Sequence, residues 1–150
     1  VFKAPPRPAR WTAVLLLPLL LVAACGAEKR STVPADRIVG TWTAADGEEM
    51  SFAADRSFTS SGLDSKKLSE QRCPGQKATG TWAFFADQGD GLYGTSARAT
   101  SGSQIGFTFD DEAEGPCTIT LSVVEDGKTL CATADADDPC GLGVRFTRRK

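Results

Sequence analysis

From Arg37 onward apolar side chains recur at every second position, the pattern of strands with one buried face. Gly40, Trp42 and Ala44 share one face of a first strand, and Met50, Phe52 and Ala54 share one face of a second. A two-residue Asp46-Gly47 turn would pair Trp42 with Ser51 and set the two apolar groups on opposite faces. A three-residue loop, Ala45-Asp46-Gly47, pairs Trp42 with Met50 and Gly40 with Phe52, and is therefore the expected connection. Gly47 then supplies the left-handed residue that such a loop needs. The same parity makes Phe52 oppose Phe58 across an Ala54-Asp55-Arg56 loop, with Arg56 at a position better suited to glycine. Nearer the C-terminus, Ile119, Leu121 and Val123 share a face, and a type I′ turn at Asp126-Gly127 pairs Val123 with Leu130.

Further strands are expected at Thr79–Ala86 with Trp82 and Phe84 inward, and at Gly91–Ala97. Others follow at Gln104–Phe109 with Ile105, Phe107 and Phe109 inward, and at Leu142–Arg148 with Val144 and Phe146 inward. Leu63–Arg72 reads as a short helix that buries Leu63 and Leu68. About nine short antiparallel strands predict an all-β meander, closed or nearly closed into a small barrel, since closure removes exposed edges. Its core, or the lining of a ligand site, would be Trp42, Met50, Phe52, Phe58, Trp82, Phe84, Phe107 and Phe109.

The first 24 residues break this alternation. Val1–Arg10 is basic and free of acids, and Trp11–Ala24 is almost wholly apolar. That run falls short of the roughly 20 residues a membrane span needs, and Pro18 interrupts it. A basic stretch, a short apolar stretch and small closing residues predict a cleaved signal peptide over residues 1–24. Val22-Ala23-Ala24-Cys25 resembles the bacterial lipobox. The resemblance implies a diacylglyceryl thioether on Cys25 and anchorage to the outer, extracytoplasmic face of the cell membrane. Polar Gly26–Asp36 reads as a flexible tether of about 11 residues reaching roughly 20 Å. The organisation is then signal peptide 1–24, lipidated cysteine and tether 25–36, and barrel 37–150.

Composition adjusts this picture. Lys3, Arg7 and Arg10 are the only charges before Cys25, so a chain starting there carries 14 basic and 19 acidic residues, net −5. An acidic domain has no footprint for nucleic acid, and its net charge predicts no attraction to anionic lipid. Histidine is absent, which removes Ser–His and Cys–His nucleophiles, histidine metal sites and the usual general base. No G-x-S-x-G, S-x-x-K or P-loop occurs, so a non-enzyme without cofactor or metal is expected. Gly89–Gly94 fits G-x-G-x-x-G but opens no helix, and reads as a hairpin turn. Asp135, Asp137 and Asp138 lack the glycine and distal glutamate of a calcium loop. Asp110, Asp111, Glu112 and Glu114 read as a solvated acidic turn.

Cys73, Cys117, Cys131 and Cys140 remain for two disulfides, with three connectivities open. In the expected hairpin Cys131 faces Ser122 while Cys117 lies level with Ala136. Cys117–Cys140 with Cys73–Cys131 is therefore the expected pairing. A zinc site lacks any C-x-x-C spacing.

Gly40-Thr41-Trp42 opening the first core strand, with Arg148 on the inward face of the last, resembles the calycin pattern known from lipocalins. There a G-x-W tryptophan closes one barrel end beneath an arginine, which implies that role for Trp42 and Arg148. The triplet recurs at Gly80-Thr81-Trp82, and the chain lacks the longer strands of true lipocalins. The exported region as a whole resembles small lipocalin-like lipoproteins of actinobacteria. Two functions follow as expectations: an envelope-associated protein-interaction module, or a carrier of a small apolar ligand.

Overall fold

The computed structural model describes residues 28–111 and 116–150. The signal peptide, Cys25, and Glu112 and Glu114 of the acidic turn lie outside the described residues.

Eleven strands form in chain order: β1 (Val33–Pro34), β2 (Gly40–Thr43), β3 (Glu49–Phe52), β4 (Ser57–Ser61), β5 (Ala78–Asp87), β6 (Tyr93–Ser96), β7 (Ser101–Gly102), β8 (Gln104–Phe109), β9 (Thr120–Val124), β10 (Thr129–Thr133) and β11 (Arg145–Arg148). All pairings are antiparallel. Eight strands close a barrel in the order β2-β3-β4-β5-β8-β9-β10-β11, with β11 returning to β2 and β4 pairing β5. Strand β6 adds to the far half of the ten-residue β5, outside the closed ring. Strands β1 and β7 form a separate pair.

The three registers derived from side-chain parity are those observed. Trp42 opposes Met50, Phe52 opposes Phe58, and Val123 opposes Leu130. Gly47 takes φ +95°, and the Ala44 N–H closes the first loop on the Glu48 carbonyl at 2.9 Å. Arg56 adopts the left-handed conformation at φ 72°. Asp126 and Gly127 both have positive φ, and the Lys128 N–H donates to the Glu125 carbonyl at 3.2 Å.

In the second loop the Ser57 hydroxyl and backbone N–H both donate to the Asp55 carboxylate, at 2.6 and 2.9 Å. These bonds, the hydroxyl first, hold the Asp55 carboxyl below its ordinary value. A depressed carboxylate stabilises the folded loop above the unfolded-state pKa, and that support is lost as pH falls through the folded value. In an NMR titration, Ser57→Ala is expected to move the Asp55 midpoint up towards the ordinary carboxylate value.

Three expectations are corrected. Leu63–Arg72 is not an α-helix: it bends through turns and one 3₁₀ turn at Ser69–Gln71, with Arg72 left-handed at φ 56°. Leu63 and Leu68 stand five residues apart, about 140° around a helix, so one helical face cannot bury both. Turns closed by Leu68 N–H to the Ser65 carbonyl and Gln71 N–H to the Leu68 carbonyl bury both completely.

Residues 28–36 are not a free tether. The Ser31 N–H donates to the Val123 carbonyl at 2.8 Å, Val33 is buried, and the Ala35 N–H donates to the Thr100 carbonyl. This strap crosses the outer face of β9 and β10. Strands β6 and β11 are also shorter than the expected Gly91–Ala97 and Leu142–Arg148.

Candidate functional site

The interior is built from alternate residues of all eight barrel strands. Trp42, Met50, Phe52, Phe58, Trp82, Phe84 and Phe109 are at most 5% exposed, and Ile105, Leu121, Leu130 and Phe146 fill in between them. The rings meet edge-on: Phe52 on Trp82 with centroids 5.7 Å apart, Trp82 on Phe84 at 5.6 Å, and Phe58 on Phe109 at 5.1 Å. Such contacts add about 0.5–1.5 kcal/mol each beyond the area they bury.

One end of the barrel is closed by two tryptophan–arginine pairs. The Arg148 guanidinium lies 4.9 Å from the Trp42 ring centroid and donates to the carbonyls of Val39 and Arg37. Beneath it the fully buried Trp42 donates its indole N–H to the Ile38 carbonyl at 2.8 Å. This is the closure expected for Trp42 and Arg148. The second Gly-Thr-Trp triplet has an equivalent that parity did not reveal. The Arg56 guanidinium lies 4.3 Å from the Trp82 centroid, and its Nη2 donates to the Ala99 carbonyl at 2.8 Å. The sequence signal was Arg56 itself, a bulky residue retained at a left-handed loop position. Among the described residues, Arg56 Nη1 and Ser60 Oγ are buried without a hydrogen-bond partner.

The opposite end is covered by the segment between β4 and β5, residues 62–77. Leu63 and Leu68 point into the barrel, and the Ser65 hydroxyl donates to the carboxylate of the buried Glu48. Glu48 also accepts the Asp46 N–H, which gives both its oxygens a partner. The lid is clamped by a Cys73–Cys117 disulfide, with Cα atoms 4.5 Å apart, and by the Thr118 N–H donating to the Gln71 carbonyl.

The second bridge joins Cys131 and Cys140, with Cα atoms 4.9 Å apart, so the expected Cys117–Cys140 and Cys73–Cys131 pairing is corrected. Register had placed Cys117 level with Ala136 by extending β9 backwards. Strand β9 begins only at Thr120, and Cys117 turns away to the lid. The chain after β10 folds back, with Leu142 N–H on the Ala132 carbonyl and Ala132 N–H on the Val144 carbonyl, which returns Cys140 to Cys131. The Glu28 carboxylate lies beside this bridge, but the S–S bond removes both thiolates as ligands, and Glu28 pairs with Arg145.

The remaining motifs serve the backbone. Gly89–Gly94 is a hairpin turn closed by Leu92 N–H on the Gly89 carbonyl and Gln88 N–H on the Leu92 carbonyl. Asp135 and Asp138 accept the N–H groups of Asp137 and Cys140 within their own turn. Asp110 accepts the Thr79 hydroxyl at 2.6 Å.

On the outer surface a groove of about 640 Å³ runs over β5, β6 and β8 to the Cys117–Thr120 segment. Thr81, Thr95 and Thr108 line it with hydroxyls, and no carboxylate contributes to its walls. The Phe85 ring rests on Gly106, where an added Cβ would come within 2.9 Å of it, and stacks on Tyr93 with centroids 5.9 Å apart. The β8–β9 ladder registers Gln104 with Ser122 and Ile105 with Leu121, and no further pair towards the lid. Phe107 faces inward as expected but is only half-buried, unlike its neighbours Ile105 and Phe109 on that face. Among the described residues, Leu92 (68%) and Tyr93 (63%) are the large apolar side chains left exposed, both where the hairpin turn enters edge strand β6. No family model, curated protein or solved structure matches the chain.

Proposed function

We propose that this chain is a lipid-anchored extracytoplasmic module that works through its outer surface, by contact with other envelope proteins and without catalysis. The observation that carries the reading is the filled and lidded interior. A carrier of the usual barrel type needs a hollow core and an open mouth. Here large aromatic side chains occupy the core, and a disulfide holds Leu63 and Leu68 in the mouth. Interaction then falls to exposed features, chiefly Leu92, Tyr93 and the unpaired edge of β6. An uncharged edge strand without proline is a ready template for a partner strand.

The export half of the reading is supported by the lipobox-like run ending at Cys25 and by two disulfides in the barrel, which suit an oxidising compartment. Kinship with calycins is supported by the Trp42–Arg148 closure.

A second reading, carriage of a small apolar ligand, is favoured by one observation. Where the β8–β9 ladder stops, half-buried Phe107 lines the lateral groove. Native mass spectrometry of the protein extracted from its own membrane separates the two readings. The expected mass is a chain starting at Cys25, carrying a diacylglyceryl group and two disulfides, with no small molecule retained. A retained apolar ligand establishes the carrier reading instead, and an unmodified Cys25 removes the anchor.

A further inference from the structure

Resting on the lipid-anchor reading, we propose that one wall of the barrel, β10–β11 with the strap across it, is the face that lies on the bilayer and binds anionic phospholipid headgroups.

The strap fixes the geometry. The Glu28 carboxylate pairs with Arg145 of β11 and lies 3.4 Å from the Cys140 sulfur. Arg30 Nε donates to the Ser122 hydroxyl at 3.1 Å and its Nη2 donates to the Ala136 carbonyl. Cys25 precedes Glu28 by three residues, which span about 10 Å when extended. A lipid on Cys25 is therefore confined to the neighbourhood of β10 and β11, within half the reach of a free 11-residue tether. In the closed ring β4 and β5 lie four strands away, on the opposite side.

Charge agrees with this placement. The run Arg145–Lys150 holds four cations and no carboxylate, in a chain whose net charge from Cys25 onward is −5. Lys29 and Arg30 of the strap join them. The carboxylates on the same wall are spent in ion pairs: Glu28 and Glu125 on Arg145, and Glu49 on Arg149. Lys29 and Lys150 are exposed. Asp126 stands at one end of the wall, and Asp135, Asp137 and Asp138 at the other. A single acyl group holds a protein only marginally, and a basic patch beside it is the common second signal. Net charge alone predicted no such attraction, because it averages a basic wall with acidic loops. Docked this way, the barrel turns β4, β5 and β6, with the lateral groove and Tyr93, away from the membrane.

The full lipidated chain, its Cys25 modification verified by mass, is bound to vesicles of phosphatidylcholine with and without phosphatidylglycerol. It is then treated with an amine-acylating reagent, and the modified lysines are read by peptide mass spectrometry. Lys29 and Lys150 are expected to react several-fold more slowly on the anionic vesicles than in detergent, while Lys66 and Lys77 keep their rates. Arg149→Glu with Lys150→Glu is expected to restore the Lys29 rate with the lipid still in place. Equal rates at all four lysines, or protection of Lys66 and Lys77 instead, overturns the orientation while leaving the anchor intact. An unmodified Cys25 removes the anchor and the orientation together.

Discussion

Replacing Cys73 and Cys117 by alanine lowers the unfolding free energy by about 4 kcal/mol, and replacing Cys131 and Cys140 lowers it by about 2.5 kcal/mol. The difference follows from the loops closed, 44 residues for the first bridge and 9 for the second. A cross-link removes more freedom from the unfolded chain when it joins more distant residues. For a domain whose total stability is of the order of 5–15 kcal/mol, the first loss is large. Its structural effect is also specific. The lid keeps its Gln71–Thr118 contacts but loses its clamp, so Leu63 and Leu68 exchange with solvent more readily. Urea unfolding of both variants gives the two free energies, and hydrogen exchange at Leu68 and Gln71 reports on the lid. Equal losses would show that native packing around each bridge, rather than loop length, sets its worth.

What the sequence could disclose followed the range of its rules. Side chains in a strand alternate with period two, so moving a register by one residue exposes a whole apolar face. Trp42 on Met50, Phe52 on Phe58 and Val123 on Leu130 were legible for that reason, as was the inward set of the barrel. The rule is silent where alternation stops. Residues 62–77, 110–119 and 134–144 connect strands without a period, and all four paired cysteines lie in or beside them. Their pairing depended on paths that no local pattern sets.

The strap was lost for a related reason. A polar run with Pro34 has a linker's composition, and only Val33 goes into the protein, onto Gly127, where a Cβ would meet Val33 Cγ1 at 2.8 Å. The two-residue pairing of β1 with β7 is too short for alternation to announce. The site features outside the barrel depended on these same segments. The lateral groove exists where the β8–β9 ladder ends, and the basic wall becomes visible only once the strap is seen to cross it. Neither is a motif in the chain.

The two tryptophan–arginine pairs make opposite demands on their backbones, and this gives the second large prediction. Trp42→Ala empties a fully buried site and strips the Ile38 carbonyl of its indole partner, at a cost of about 3–5 kcal/mol. Trp82→Ala is expected to cost a similar amount. The arginines should differ. Arg148 sits on a regular strand, so Arg148→Gly loses the ring contact and the bonds to Val39 and Arg37 and adds backbone freedom. The variant is destabilised by about 1–3 kcal/mol. Arg56→Gly loses the equivalent contact with Trp82 but relieves a left-handed φ of 72°, a strain of about 1–2 kcal/mol, so its net effect is near zero. Double-mutant cycles with each tryptophan isolate the pairwise terms, expected at about 0.5–2 kcal/mol for both. A coupling near zero at Trp42 and Arg148 would mean that the arginine closes the barrel through its carbonyl bonds alone, with the ring serving only as core.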